Sequence, residues 1–195
     1  MTAPAKINFK IYQGSTFNET LRWESSTIVY VPITNITKSA PVVITAPGHN
    51  VPVEWRVKFS NIGGMTELNS VDTYYQVAET TTDNITLNAV NSLGYKAYTQ
   101  GGVVEYNKPI NLTNVIGIMQ IRAKLEDSTV IEELTTENGM IVIDTTKSTI
   151  TLNIPAFNTA GYTFSTAVYS LELNIGGQIT PFIQGNISLV KEVTR

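Results

Sequence analysis

The sequence predicts an all-β protein: an antiparallel β-sandwich with an inserted small β-barrel and little helix. Three observations carry this reading. Apolar and polar residues alternate with period two along several stretches. Turn-forming residue pairs separate these stretches. The polar residues are dominated by Thr, Asn and Ser rather than by charge, since Asp, Glu, Lys and Arg make up only 15 % of the chain against roughly 25 % in an ordinary globular protein. Thr packs well on a pleated face, and Asn and Ser serve turns.

The alternation places individual strands. Ile7, Phe9 and Ile11 alternate with Lys6, Asn8, Lys10 and Tyr12. Trp55, Val57 and Phe59 alternate with Glu54, Arg56 and Lys58. Met119, Ile121, Ala123 and Leu125 alternate with Gln120, Arg122, Lys124 and Glu126. Ile150, Leu152 and Ile154 form another such set, as do Tyr169, Leu171, Leu173 and Ile175. Each reads as a strand with one face in a core and the other in solvent. Trp23 and Trp55 are both expected in a core.

Turn signals sit at Pro47-Gly48, Gly63-Gly64, Gly101-Gly102, Asn138-Gly139 and Gly176-Gly177. Asn138-Gly139 and Gly176-Gly177 each lie between apolar runs and predict two hairpins, since such pairs accept the positive φ of a tight turn. Helix is expected only over Pro155 to Gly161, for one or two turns.

The chain of 195 residues accommodates one large domain or two small ones. Residues 6–23 supply two strands, too few to fold alone, so their partners must come from beyond residue 105. The stretch 36–105 is bounded by Pro32 on one side and Lys108-Pro109 on the other. The expected organisation is a discontinuous outer sandwich, 6–35 with 106–195, and an inserted barrel module at 36–105.

Composition narrows function. With a net charge of −3, nothing predicts neutralisation of nucleic-acid phosphates. The chain has no cysteine, which removes disulfides, thiolate nucleophiles and cysteine metal sites. No apolar run approaches the roughly 20 residues of a membrane span, and no secretory signal core is read at the start. Synthesis in a cytoplasm is therefore expected, and the Asn-x-Ser/Thr sequons at Asn18, Asn35, Asn84, Asn111 and Asn186 are read as products of composition.

No set of residues has both the types and the spacing for catalysis. His49 is the single histidine and lies in a Pro-Gly turn, away from any nucleophile-elbow pattern. Alone, it does not make a zinc site. Glu132 and Glu133 are adjacent in a strand and point to opposite faces, so they are not a glycosidase pair. The expectation is no enzyme, no cofactor and no metal. The residues singled out for contact are Tyr74, Tyr75, Tyr95 and Tyr98, because exposed tyrosine suits protein interfaces or stacking on sugars; the competing reading is that they cap the core of the inserted module.

Two resemblances cover nearly the whole chain. The segments Ala40-Pro-Val-Val-Ile-Thr-Ala-Pro-Gly-His49, Trp55-Arg-Val, Ile62-Gly-Gly-Met-Thr-Glu-Leu-Asn69, Tyr75-Gln-Val-Ala, Ile85-Thr-Leu and Gly101-Gly-Val-Val resemble a small β module recurrent in tailed-phage structural proteins. That module is similar to a β-barrel domain of ubiquitin-activating enzymes. The family usually carries His-Gly-Leu or His-Gly-Phe where this chain has His49-Asn50-Val51. The flanks, including Tyr12-Gln-Gly-Ser-Thr-Phe17, Met119-Gln-Ile-Arg122 and Ala167-Val-Tyr-Ser-Leu-Glu-Leu173, resemble the N-terminal, virion-attaching domain of baseplate upper proteins and tail-fibre adaptors.

The resemblance implies a virion structural protein of the tail, baseplate or neck that anchors or adapts a fibre or a neighbouring ring. It implies other virion proteins as partners, a homo-oligomeric ring or trimer, and no nucleic acid or membrane insertion. Two alternatives stand beside it: a carbohydrate- or receptor-binding module meeting a host surface glycan through the four tyrosines, and a capsid-decorating protein. Neither resemblance carries catalytic residues onto this chain, and fold alone does not imply function.

Overall fold

In the long strands the alternation decides which side chains are enclosed, and the computed structural model, which describes residues 3–192, sets those faces against one another. In chain order the strands begin with β1 (Ala5–Lys6), β2 (Phe9–Tyr12), β3 (Phe17–Arg22), β4 (Glu24–Pro32), β5 (Asn35–Ile36) and β6 (Val42–Thr45). Next come β7 (Arg56–Gly63), β8 (Tyr75–Gln76), β9 (Glu79–Thr80), β10 (Asn84–Leu87), β11 (Gln100–Pro109) and β12 (Ile116–Arg122). The last are β13 (Glu132–Thr135), β14 (Ile141–Asp144), β15 (Thr149–Ile154), β16 (Thr166–Ile175) and β17 (Gln178–Val190). One short helix, α1 (Ala156–Ala160), follows Pro155 and ends at Gly161. The protein is all-β.

The chain divides into two compact units. The first takes the residues up to Arg22, Asn111–Thr145 and those from Thr149 onward. The second takes Trp23–Ile110 with Thr146–Ser148. The chain enters the second unit at Trp23 rather than after residue 35, because β4 pairs with β11 from Glu24 to Pro32. It leaves at Ile110, whose N–H donates to the Trp23 carbonyl.

The first unit is a sandwich. One sheet has the order β1-β17-β16-β12-β13, with β2 also on β17; the other is β14-β15-β3. Phe9, Met119, Ile121, Leu171 and Leu173 from the first sheet and Phe17, Ile141, Ile150, Leu152 and Ile154 from the second are buried. Each contributes about 1.5–3 kcal/mol through removal from water. Phe9 and Phe17 meet edge to face at 5.4 Å. Gly117 on β12 lets the Ile141 side chain pack closely, since a Cβ there would stand 3.2 Å from it.

The larger sheet is mainly antiparallel, as expected, with β1 and β2 running parallel to β17. Several expectations change here. Asn138-Gly139 does not close a hairpin: β13 pairs with β12, and β14 pairs with β15. The turn instead moves the chain from one sheet to the other, with Asn138 Oδ1 accepting from the N–H groups of Thr135 and Met140. Gly176-Gly177 does close the β16–β17 hairpin, with Ile175 opposite Gln178 and φ of 57° and 89°. β12 stops at Arg122, so Leu125 is 81 % exposed rather than inward.

The second unit has two four-stranded sheets, β5-β6-β10-β9 and β4-β11-β7-β8, around Trp55, Phe59, Met65, Leu68, Ile44 and Ile85. At two corners the chain passes from one sheet to the other. At one, Ile33 N–H donates to Gly102 O and Thr34 N–H to Thr45 O, each at 2.9 Å. At the other, Val77 donates to Trp55 O and Ala78 to Thr86 O, again at 2.9 Å. The expected barrel is therefore a pair of sheets joined at two corners, because the ladders stop where the chain bends. Trp55 is fully enclosed, whereas Trp23 is only half-buried.

The Ile62–Asn69 motif is structural. Gly64 has φ of 81°, and a Cβ there would lie 2.1 Å from the Ala97 carbonyl oxygen. The Asn69 side chain clasps Ile62, accepting from its N–H at 2.9 Å and donating to its carbonyl at 3.1 Å. Asn50 has φ of 51°, the left-handed region that asparagine tolerates better than most side chains.

Candidate interaction surfaces

The four tyrosines do not form one platform. Tyr75, Tyr95 and Tyr98 are half-buried against the core of the second unit. The Tyr75 ring lies 5.4 Å from that of Phe59, and burial raises its hydroxyl pKa above the ordinary 10. The Tyr98 hydroxyl donates to the carbonyls of Ile33 and Gly101, at 3.2 Å and 3.0 Å. Tyr74 is exposed, but its ring is engaged: Arg56 Cζ lies 4.8 Å and Lys58 Nζ 5.1 Å from its centroid. Arg56 is itself held by Glu24 at 2.6 Å.

His49 is enclosed and works as a brace. Its Nδ1 accepts from the Val51 N–H at 2.9 Å, so Nε2 carries the proton and donates to the Asn84 carbonyl at 3.2 Å. The Tyr106 hydroxyl donates to the His49 carbonyl. Burial lowers the imidazole pKa below its ordinary 6.5, against the opposing pull of the Asn84 and Thr81 carbonyls and the Asp83 charge.

Glu132 and Glu133 diverge as their adjacency requires. Glu133 stands opposite Gln120 on the outer face and accepts from its amide. Glu132 stands opposite Ile121 on the inner face, at the rim of the sandwich core. A carboxylate there needs partners. Its Oε2 accepts from the Tyr162 hydroxyl at 2.9 Å and from Asn158 Nδ2 at 3.0 Å. Burial first, then the Glu132 bond and charge, raise the Tyr162 pKa well beyond the phenol range, so Tyr162 remains a donor. These residues wall an open cleft of about 780 Å³, with Ala123, Ile131, Phe157 and Phe164 as its apolar lining. Nothing in the sequence pairs residue 132 with 158 and 162.

The outer face of the larger sheet carries large apolar residues. Ile116 and Ile118 alternate outward on β12 and are about half exposed, and Ile179 on β17 is 66 % exposed. Cross-strand register sets Ile116, Asn174 and Ile179 in one row, and Ile118, Glu172 and Pro181 in the next. In the second unit, Ile28 and Tyr30 face outward on β4, an edge strand. Among the described residues, no group of three or more His, Asp or Glu side chains could hold a metal ion.

No protein-family model matches the chain, and a search of curated proteins finds no match either.

Proposed function

We propose that this protein is a non-enzymatic structural component of a tailed-phage virion, in the tail, baseplate or neck. It anchors or adapts a fibre or a neighbouring ring through protein–protein interfaces. The observation that carries this reading is the outward placing of Ile116, Ile118 and Ile179, in two adjacent rows of a sheet whose other face already fills a core. Aliphatic side chains grouped in this way are stabilised when a partner removes them from water. The sequence resemblance of the flanks to virion-attaching domains supplies the kind of assembly. A ring or trimer repeats that face with each copy.

The host-glycan alternative has less support, since three of its four tyrosines pack against the core and the ring of the fourth, though exposed, is already engaged by Arg56 and Lys58. Immuno-gold labelling or cryo-EM of purified virions whose genome encodes the chain tests the proposal. Density or label in the tail, baseplate or neck is expected. Virions that lack the protein would overturn it.

A further inference from the structure

The cleft beside Glu132 has an unfinished polar arrangement. Oε2 takes both hydrogen bonds, from Tyr162 and Asn158, and Oε1 has no hydrogen-bond partner among the described residues. Among the described residues, no Lys, Arg or His lines the cleft and Glu132 is in no ion pair within 4.0 Å. The carboxylate is held by two donors from a segment 26 and 30 residues further along, so its position is set before any ligand arrives. Beside it stands Phe157, a large aromatic that is 90 % exposed, with Phe164 also on the lining.

We propose that this cleft receives the guanidinium group of an arginine carried by a partner protein. One N–H donates to Glu132 Oε1, and the planar group stacks on the aromatic lining. The chemistry selects guanidinium over ammonium. An ammonium is a strongly hydrated point charge, poorly served by walls of Ala123, Ile131 and phenylalanine. A guanidinium is weakly hydrated, flat, and stacks on aromatic rings while donating in its plane. The inference rests on the assembly reading only for the source of the arginine.

The test uses the full chain and blocked arginine, N-acetyl-arginine methylamide, titrated by NMR. Amide shifts confined to residues 131–132 and 157–164 are expected, and the neutral isostere N-acetyl-citrulline methylamide should give none. Glu132→Gln keeps an oxygen for Tyr162 and Asn158 but loses the charge, and should weaken binding by at least about ten-fold. Phe157→Ala, at an exposed position, should leave the fold intact and weaken binding several-fold. Equal binding of citrulline, unchanged affinity in Phe157→Ala, shifts elsewhere, or no shift at all overturns the proposal. Should Glu132→Gln not fold, the citrulline and Phe157 arms still decide. Virion localisation is independent of these outcomes, so failure here and failure of the assembly reading are distinguishable.

Discussion

The hydroxyl of Tyr169, on β16, donates a 2.8 Å hydrogen bond to the carbonyl of Ile7, 162 residues away in sequence. Ile7 joins β1 to β2, and its carbonyl lies over β17 where Gly185 leaves room; a Cβ at Gly185 would come within 1.9 Å of that oxygen. The Tyr169 ring also stacks on Phe9 at 5.0 Å. One side chain thus ties the parallel N-terminal strands to the antiparallel sheet.

Tyr169→Phe keeps the stack and removes the donor. It should cost about 1–3 kcal/mol, because the Ile7 carbonyl loses its partner in a half-enclosed place. Gly185→Ala should cost more, since backbone rather than a flexible side chain must move. Urea unfolding followed by tryptophan fluorescence and circular dichroism checks both, and equal stability of Gly185→Ala and the wild type would contradict the packing described.

His49 gives the second unit a pH dependence of known sign. Its pKa is lowered on folding, so the unfolded state binds the proton more readily. The stabilising contribution is fully present above the ordinary value of 6.5 and is lost as pH falls from there toward the depressed folded value. The denaturation midpoint should therefore drop between pH 7.5 and pH 5. His49→Asn, which does not titrate, should be less stable at pH 7.5 but show a flatter profile over the same window. Parallel profiles would show that another group governs the slope.

Asn69→Ala removes both hydrogen bonds to Ile62. The expected loss is about 1–3 kcal/mol, because two backbone groups lose partners beside the core. Hydrogen exchange should place that loss in the second unit, with faster exchange at Ile62 and Met65, and should leave the amides of β12 and β16 unaffected. Asn69→Asp keeps the acceptor for the Ile62 N–H but not the donor, so its exchange rates should fall between those of the wild type and Asn69→Ala.

What could be read ahead of the structure was what is local. Gly176-Gly177 announces its hairpin because turn and strands are contiguous. Glu132 and Glu133 announce opposite faces because neighbours in a strand must diverge. Asn138-Gly139 carries the same turn signal, yet its flanking strands pair elsewhere. Turn chemistry fixes backbone shape at that point and leaves the choice of partner strand to distant packing. The parallel pairing of Ala5 with Ile183 has no local signature at all. Glu132 is the same case in side-chain form: its partners Asn158 and Tyr162 are brought to it by the α1 turn, and no spacing rule links them.

The outward isoleucines offer the most direct check on the assembly reading. Ile118 lies across from Glu172 on one side and Thr135 on the other. A lysine there meets a carboxylate across the strand and water above it, so Ile118→Lys should alter stability by no more than about 0.5 kcal/mol. A partner seated on the face would instead have to desolvate the new lysine together with Glu172 beside Ile116, Ile179 and Pro181, and taking two charges out of water costs more than their attraction returns unless the geometry is very good. The expected result is a protein that unfolds like the wild type but enters virions at least about ten-fold less, measured by quantitative immunoblot of particles grown on a complementing plasmid. Leu93→Lys, also exposed but in the second unit, serves as the matched control and should incorporate normally. Equal incorporation of Ile118→Lys and the control would move the docking surface away from the β12–β17 face, leaving the exposed β4 edge with Ile28 and Tyr30 as the next surface to substitute.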